Sequence, residues 1–454
     1  MNGRVRRPPA SSGALSPHVV VDLYGRTYHA GPSDRVLLGH SRAWVAGAAW
    51  AAMLAVGCAQ YGYAVLSAGS AGGQEAAWGF AAFVACQSAV SVALAWLRRR
   101  FDLTPPKIVI AGAVGCAGGL LALGWAANPV FALAVYAVAA GLGAGLIYGT
   151  CVSVTAAWYP ERPVRTAMVS GAFGYGAIPF IMMMATARDR NAAFGLLAWI
   201  ILLIVATAAP LLREPPGGWW PAGIDPRQWA LDKTINPALR LEQPRARDRS
   251  PAEVLRSADA WILAAVSLGI WAIALGDMSW LGAFGIKSGF DWRGSALGIA
   301  AFAAGSGGIR ALAALAAERV SRPRILTVAA CGAAVAQLLL LVAGTHRVLP
   351  LFWLAAGCAG SCAGTWFALL PGLVRSWFGD WPGLPNLWVV YCAKAAGGLL
   401  GAGCGGLLVS AAGFPTACVA SAVVAGAVAF VPLRRRPGLP HTIPGIARKD
   451  RRSS

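Results

Sequence analysis

Charge is scarce in this sequence, and acid scarcest: 18 Asp and Glu stand against 38 Lys and Arg, and charged residues make up only 12% of 454. A soluble domain carries about 25% charged residues, so a water-soluble globule is excluded. The five histidines (His18, His29, His40, His346, His441) all fall in tails or loops, which leaves no histidine for an intramembrane proton relay. Cys358 and Cys362 lie four apart on a predicted helix, but no histidine or second cysteine pair joins them, so they read as small packing residues. There is no nucleophile–base set, metal-ligand cluster or phosphate-binding loop, so the chain is not expected to be an enzyme or to need a cofactor or metal. The run Gly171-Ala-Phe-Gly174-Tyr-Gly176 has neither a strand before it nor an acidic ribose partner after it, and reads as packing glycine. A cleavable signal is not expected either, because the first apolar run starts near Ala43, behind Arg4, Arg6, Arg7, Arg26, Arg35 and Arg42.

What fills the chain instead is apolar. Hydrophobic residues make up 57% and the mean hydropathy is +0.60. Runs of about 20 residues, enough to cross roughly 30 Å of hydrocarbon, recur twelve times, near 43–66, 76–97, 108–127, 129–157, 164–186, 192–212, 258–282, 295–317, 324–344, 349–373, 386–409 and 413–433. The joins at 127–129 and 409–413 are expected to be tight hairpins. Glycine recurs inside the runs, as at Gly141, Gly143 and Gly145, where small residues let helix backbones approach closely.

The net charge of +20 is spread over short segments between the runs, so it marks topology rather than a nucleic-acid face. With both ends placed in the cytoplasm, 31 of the 38 basic residues fall inside. Five fall outside: Arg188, Arg190, Lys287, Arg293 and Arg347. A multi-pass protein of the cytoplasmic (inner) membrane, with both termini inside, is expected.

The spans divide six and six. The expected order is a cytoplasmic tail (1–42), a six-helix half (43–212), a cytoplasmic linker (213–257), a second half (258–433) and a basic cytoplasmic tail (434–454). Ser250-Pro251-Ala-Glu253 resembles a capping box opening an entry helix to the seventh span. Two such halves match the major facilitator layout, an all-α membrane fold whose pseudo-symmetric halves rock about a site near the midplane.

Two cations interrupt this apolar interior. Arg310 lies in ALGIAAFAAGSGGIRALAALAA and Lys394 in LWVVYCAKAAGGLLGAGCGGLLV. A charge near the centre of such a helix costs roughly 2.5–3.5 kcal/mol even on lenient scales. Counting 1.5 Å per residue puts both at about the same depth, toward the cytoplasm from the middle. They can form a two-point clamp on an organic anion, with Arg supplying a planar fork and Lys a compact charge. Alternatively Arg310 snorkels to headgroups, or each cation pairs with backbone carbonyls. Asp277 is the only acid placed well inside a span. It can bind a proton, neutralise one of the cations, or sit near the outer end in contact with water. An unpaired pair of cations favours exchange, because the empty carrier is costly to reorient.

Several segments carry a family resemblance. The stretch Gly141–Gly176, with Trp158-Tyr159-Pro160-Glu161-Arg162 between two glycine-rich helices, resembles the fourth and fifth helices of the oxalate/formate antiporter family of the major facilitator superfamily. Gln60-Tyr61-Gly62-Tyr63 resembles that family's aromatic first helix. Gly308-Ile309-Arg310 with Glu318, Arg319 and Arg322 resembles its eighth helix and gating loop, and Tyr391-Cys392-Ala393-Lys394 its eleventh. The loop LRRRFDLTPPK lacks the superfamily's usual Gly-x-x-x-Asp-Arg pattern, so gating is expected to rest on the second-half loop. The resemblance implies a monomeric secondary transporter of mono- or dicarboxylates, with a small organic anion and the bilayer as partners and no nucleic acid. It implies Arg310, Lys394, Tyr61, Tyr63 and Tyr391 as substrate-binding residues, and Trp280, an aromatic near the same depth, is expected to bind substrate with them. Tyr148, Trp366 and Trp388 are further candidate cavity walls, although membrane aromatics often serve packing or interface anchoring. A proton-linked monocarboxylate symporter using Asp277, and a non-transporting membrane sensor or scaffold, are the alternatives.

Overall fold

The computed structural model describes residues 18–21, 27–66, 73–241, 248–379 and 386–431. The C-terminal basic tail (434–454) and, of the first tail, Arg4, Arg6, Arg7 and Arg26 therefore lie outside the described residues. Among the described residues, eleven helices are long and apolar enough to cross a membrane. The first ten are α1 (Ala43–Tyr61), α2 (Gly73–Leu94), α3 (Pro105–Trp125), α4 (Pro129–Trp158), α5 (Pro163–Thr186), α6 (Arg190–Leu211), α7 (Ala258–Lys287), α8 (Trp292–Ala316), α9 (Arg322–Thr345) and α10 (Leu349–Phe378). The eleventh, Val389–Phe430, is twice the usual length and breaks at Gly413, where φ is 78° and ψ 169°. That geometry suits glycine alone, and Pro415 restarts the helix two residues on. The break divides α11 (389–412) from α12 (414–430), giving twelve spans. α7 and α10 each run five residues beyond the ends expected from hydropathy.

Polar caps set several starts. The Asn128 side chain accepts from the backbone N–H groups of Val130 and Phe131 at 2.9 and 3.1 Å, Asp189 from Ala192 at 3.1 Å, and Asp291 from Gly294 at 2.9 Å. Ser250 and Glu253 form the expected capping box, but it opens a separate short helix, Pro251–Leu255, and α7 restarts at Ala258.

Helices α1–α6 and α7–α12 form two halves that meet along two seams. In one, Gly171 and Gly174 of α5 lie against Gly307 of α8, so close that a Cβ on Gly307 would meet the backbone of Gly171 and Tyr175. In the other, α2 packs on α11, with Val84 against Gly398. The Gln60 amide at the end of α1 reaches the Met278 sulfur of α7 at 3.4 Å.

The tail and linker fold together on one side of the bundle. β1 (His18–Val21) pairs antiparallel with β2 (Thr27–Ala30), and β2 pairs in parallel with β3 (Trp219–Trp220) of the linker. Trp219 packs on Trp158 with centroids 4.8 Å apart and donates to the Pro32 carbonyl at 2.9 Å. Beneath it, Arg42 binds Glu161 at 2.7 Å and covers the Tyr159 ring at 4.3 Å. Burial is the largest influence on the Tyr159 phenol and pushes its pKa up. Arg98 pairs with Glu214 at the linker's start. The linker's end is held by the other half: Arg249 N–H donates to the Phe378 carbonyl at 2.9 Å, and Asn386 donates to the Arg249 carbonyl at 3.1 Å.

Candidate functional site

Arg310 is 1% exposed and Lys394 8%, so neither snorkels to solvent. The fork of Arg310 is fixed by neutral oxygens. Its Nε donates to the Ser306 carbonyl one turn back at 3.2 Å, Nη1 to the Ser170 carbonyl of α5 at 2.8 Å, and Nη2 to the Tyr61 hydroxyl at 2.7 Å. Tyr61 is held in turn by the Ser306 hydroxyl at 2.8 Å and by edge contact with Phe173. Tyr148 lies beside Arg310 and Ser170 and against Phe173. Tyr391 is next to Tyr148. One guanidinium thus ties α8 to both α1 and α5 of the opposite half.

Lys394 crosses the other seam. Its ammonium donates to the Gln87 Oε1 of α2 at 2.5 Å, while the Gln87 amide nitrogen is buried without a partner among the described residues. The two cations share an aromatic floor. Phe367 of α10 lies 4.7 Å from the Arg310 guanidinium carbon and 5.7 Å from Lys394 Nζ, measured to the ring centroid. Such placement over a ring face is worth about 0.5–2 kcal/mol per contact. Trp271 of α7 packs on that ring with centroids 4.1 Å apart, and its indole N–H is likewise unpartnered among the described residues. Pro371, four residues after Phe367, has no N–H to give to the Phe367 carbonyl. The two cations and the unpaired N–H groups of Gln87 and Trp271 give this cluster an excess of donors, an environment that favours an anion.

Not every expected residue is here. Tyr63 turns into the first half, stacked on Phe80 at 4.8 Å, with its hydroxyl on the Ala76 carbonyl at 2.6 Å. Residues two apart on a helical path point to opposite sides, so Tyr61 and Tyr63 cannot both line one chamber. Trp280 packs instead against Phe284 and Phe414, at 6.1 and 5.9 Å. Asp277 does not pair with either cation: both its carboxylate oxygens accept from the Gln337 amide of α9, at 3.1 and 2.8 Å. Nor is it near water, being 1% exposed. Trp366 is buried beside Phe367 on α10 with its indole N–H unpartnered. In the loop after α8, Glu318 and Arg319 are exposed and form no ion pair among the described residues, whereas Arg322 lies against Gly372 of α10.

Gln87, Phe367, Ser170 and Trp271 were not singled out in the sequence. Gln87 and Gln337 carried a usable signal, since an amide in the middle of an apolar run needs a partner. Phe367 carried a weaker one in the proline four residues later.

Twelve spans in two six-helix halves, meeting at two buried cations, have the layout of a membrane transporter. The chain belongs to the Major Facilitator Superfamily, whose profile matches residues 45–380. It is similar to the oxalate:formate antiporter of Oxalobacter formigenes, at 23% identity over 325 residues that cover 67% of this chain and 71% of the relative. The fold is similar to that of a POT family transporter in complex with 5-aminolevulinic acid (TM-score 0.65, 14% identity, 89% of this chain and 98% of that one). It is also similar to the xylose transporter XylE from E. coli in a partially occluded inward-open conformation (TM-score 0.59, 14% identity, 86% and 97%).

Proposed function

We propose that the protein is a secondary carrier of small organic anions, mono- or dicarboxylates of the oxalate and formate type, and that it works by exchange. The observation that carries this reading is that Arg310 and Lys394, buried over one Phe367 ring, have only neutral partners among the described residues. A carboxylate bound between them supplies the missing charge. Arg310 offers a planar fork, Lys394 a second charge, and Gln87 and Trp271 unused N–H groups at the periphery. Tyr61 and Tyr391 flank the anion.

Because Asp277 bonds to Gln337, it is not available to neutralise the empty site. Reorienting the empty carrier would carry two uncompensated charges through the apolar interior, which favours anion-for-anion exchange. Opening at one seam and closing at the other would break and remake the Arg310–Tyr61 and Lys394–Gln87 bonds. Glu318, Arg319 and Arg322 border the gate on the cytoplasmic side. The distribution of basic residues supports a place in the cytoplasmic membrane with both termini inside.

A thermal-stabilisation screen of purified protein against a panel of carboxylates tests the substrate class. Carboxylates are expected to raise the Tm, with neutral sugars and amines inert. Stabilisation by neutral or cationic solutes alone would contradict the reading.

A further inference from the structure

The second buried polar site, between α7 and α9, lies away from the cations. The α7–α11 packing aligns Trp271 with Gly397 and Ala272 with Gly401, which puts Asp277 about nine residues, or ~14 Å, along the bundle from Lys394. Asp277 and Gln337, bonded to each other, line a cavity of about 10 Å³ together with Ile270, Ile273, Ala274, Ala333, Ala359 and Ala363. A space of that size holds one water at most. The titratable groups flanking the pair are the Cys418 thiol of α12 and the Cys362 thiol of α10, which packs against Ile273 and Ala333. Arg310 of α8 and Lys394 of α11, on the other helices packed against α7, turn to Tyr61, Ser170, Gln87 and Phe367.

The hydrogen bonds here do not close. The Gln337 amide nitrogen serves both carboxylate oxygens, and Gln337 Oε1 is buried with no donor. A buried unsatisfied acceptor costs about 1–3 kcal/mol. A proton on Asp277 closes the set. The acid O–H donates to Gln337 Oε1, the Gln337 N–H donates to the remaining carboxyl oxygen, and every polar atom of the pair is matched. Larger cations fit poorly, because hard metal ions take six or more oxygen ligands, and this pocket offers only a carboxylate and one amide oxygen among alkyl groups.

We propose that Asp277 and Gln337 form a proton-binding site in the second half, separate from the anion chamber, which is loaded and emptied as the carrier opens to either side. The proton comes from bulk water, forms the O–H bond on Asp277, and returns to water on release. It allows a carboxylate to move with its charge partly offset. Only this coupling rests on the carrier reading; the proton site itself does not.

Infrared difference spectroscopy of the purified full-length protein through a pH titration tests it. The wild type is expected to show a protonated-carboxyl C=O band that is lost reversibly on titration. The band is expected to be missing from Asp277→Asn and displaced in Gln337→Leu. Wild-type and Asp277→Asn spectra that superimpose would overturn the site, as would a band unmoved by Gln337→Leu if Asp277→Asn does not fold. Carboxylate counterflow in proteoliposomes reads the coupling, with loss of the response to a pH gradient expected in Asp277→Asn. Counterflow by the wild type separately reports on the carrier reading, since its absence leaves the infrared result standing.

Discussion

Arg310 donates to the Tyr61 hydroxyl at 2.7 Å, and the two residues belong to opposite halves of the bundle. The cation that would grip the anion is therefore also the cation that holds the halves together at that depth. Binding and rocking share one set of bonds, so the substrate competes for donors that otherwise lock the closed form.

Arg310→Lys is expected to fail. An ammonium cannot reach the Ser306 and Ser170 carbonyls and the Tyr61 hydroxyl in one plane. It also cannot give a carboxylate the two parallel N–H···O bonds of a guanidinium fork, and loss of one such charged bond, worth about 1.5–3 kcal/mol, weakens anion binding roughly tenfold or more. Calorimetric titration of the purified variant with a carboxylate checks this.

Phe367→Leu keeps the volume and removes the ring face shared by Arg310 and Lys394. The expected loss is about 0.5–2 kcal/mol, roughly two- to thirtyfold in apparent KM, with expression unchanged. A KM equal to that of wild type in counterflow would mean that the ring is only a spacer.

Gly307→Val tests the α5–α8 seam. Its side chain would enter the backbone of Gly171 and Tyr175, so the halves cannot meet as they do here. Transport is expected to fall to background while the protein still elutes as a folded monomer, and cysteines placed beside Tyr61 are expected to label faster.

Arg42→Ala should loosen the docked tail and linker. Glu161 is buried and depends on Arg42 at 2.7 Å, since Arg162 comes no nearer than 4.0 Å. Leaving that carboxylate underpaired costs roughly 1–3 kcal/mol, seen as a lower Tm. Proteolysis is expected to cut sooner near Trp219.

The twelve spans were legible because a bilayer demands length and apolarity, and both are written directly in composition. The depth match of Arg310 and Lys394 was legible for the same reason, since helical rise is constant. Facing was not. Nothing in a run of Ala, Gly and Leu says which side of α7 meets α9, so Asp277 could be placed on a span but not beside Gln337. Tyr63 and Trp280 were misplaced for the same cause, their helices turning them toward Phe80 and Phe414. Phe367 looked like any packing aromatic until α10 brought it under both cations. The tail–linker sheet pairs residues far apart in the chain, a link that no local pattern encodes.

Two buried cations with no acidic partner among the described residues are proposed to bind an organic anion together. Counterflow of labelled oxalate into oxalate-loaded proteoliposomes, compared among wild type, Arg310→Gln and Lys394→Gln, tests it most directly. Uptake is expected from the wild type and none above background from either variant, with both variants folded by size-exclusion chromatography. Uptake by both variants at the wild-type rate would contradict it.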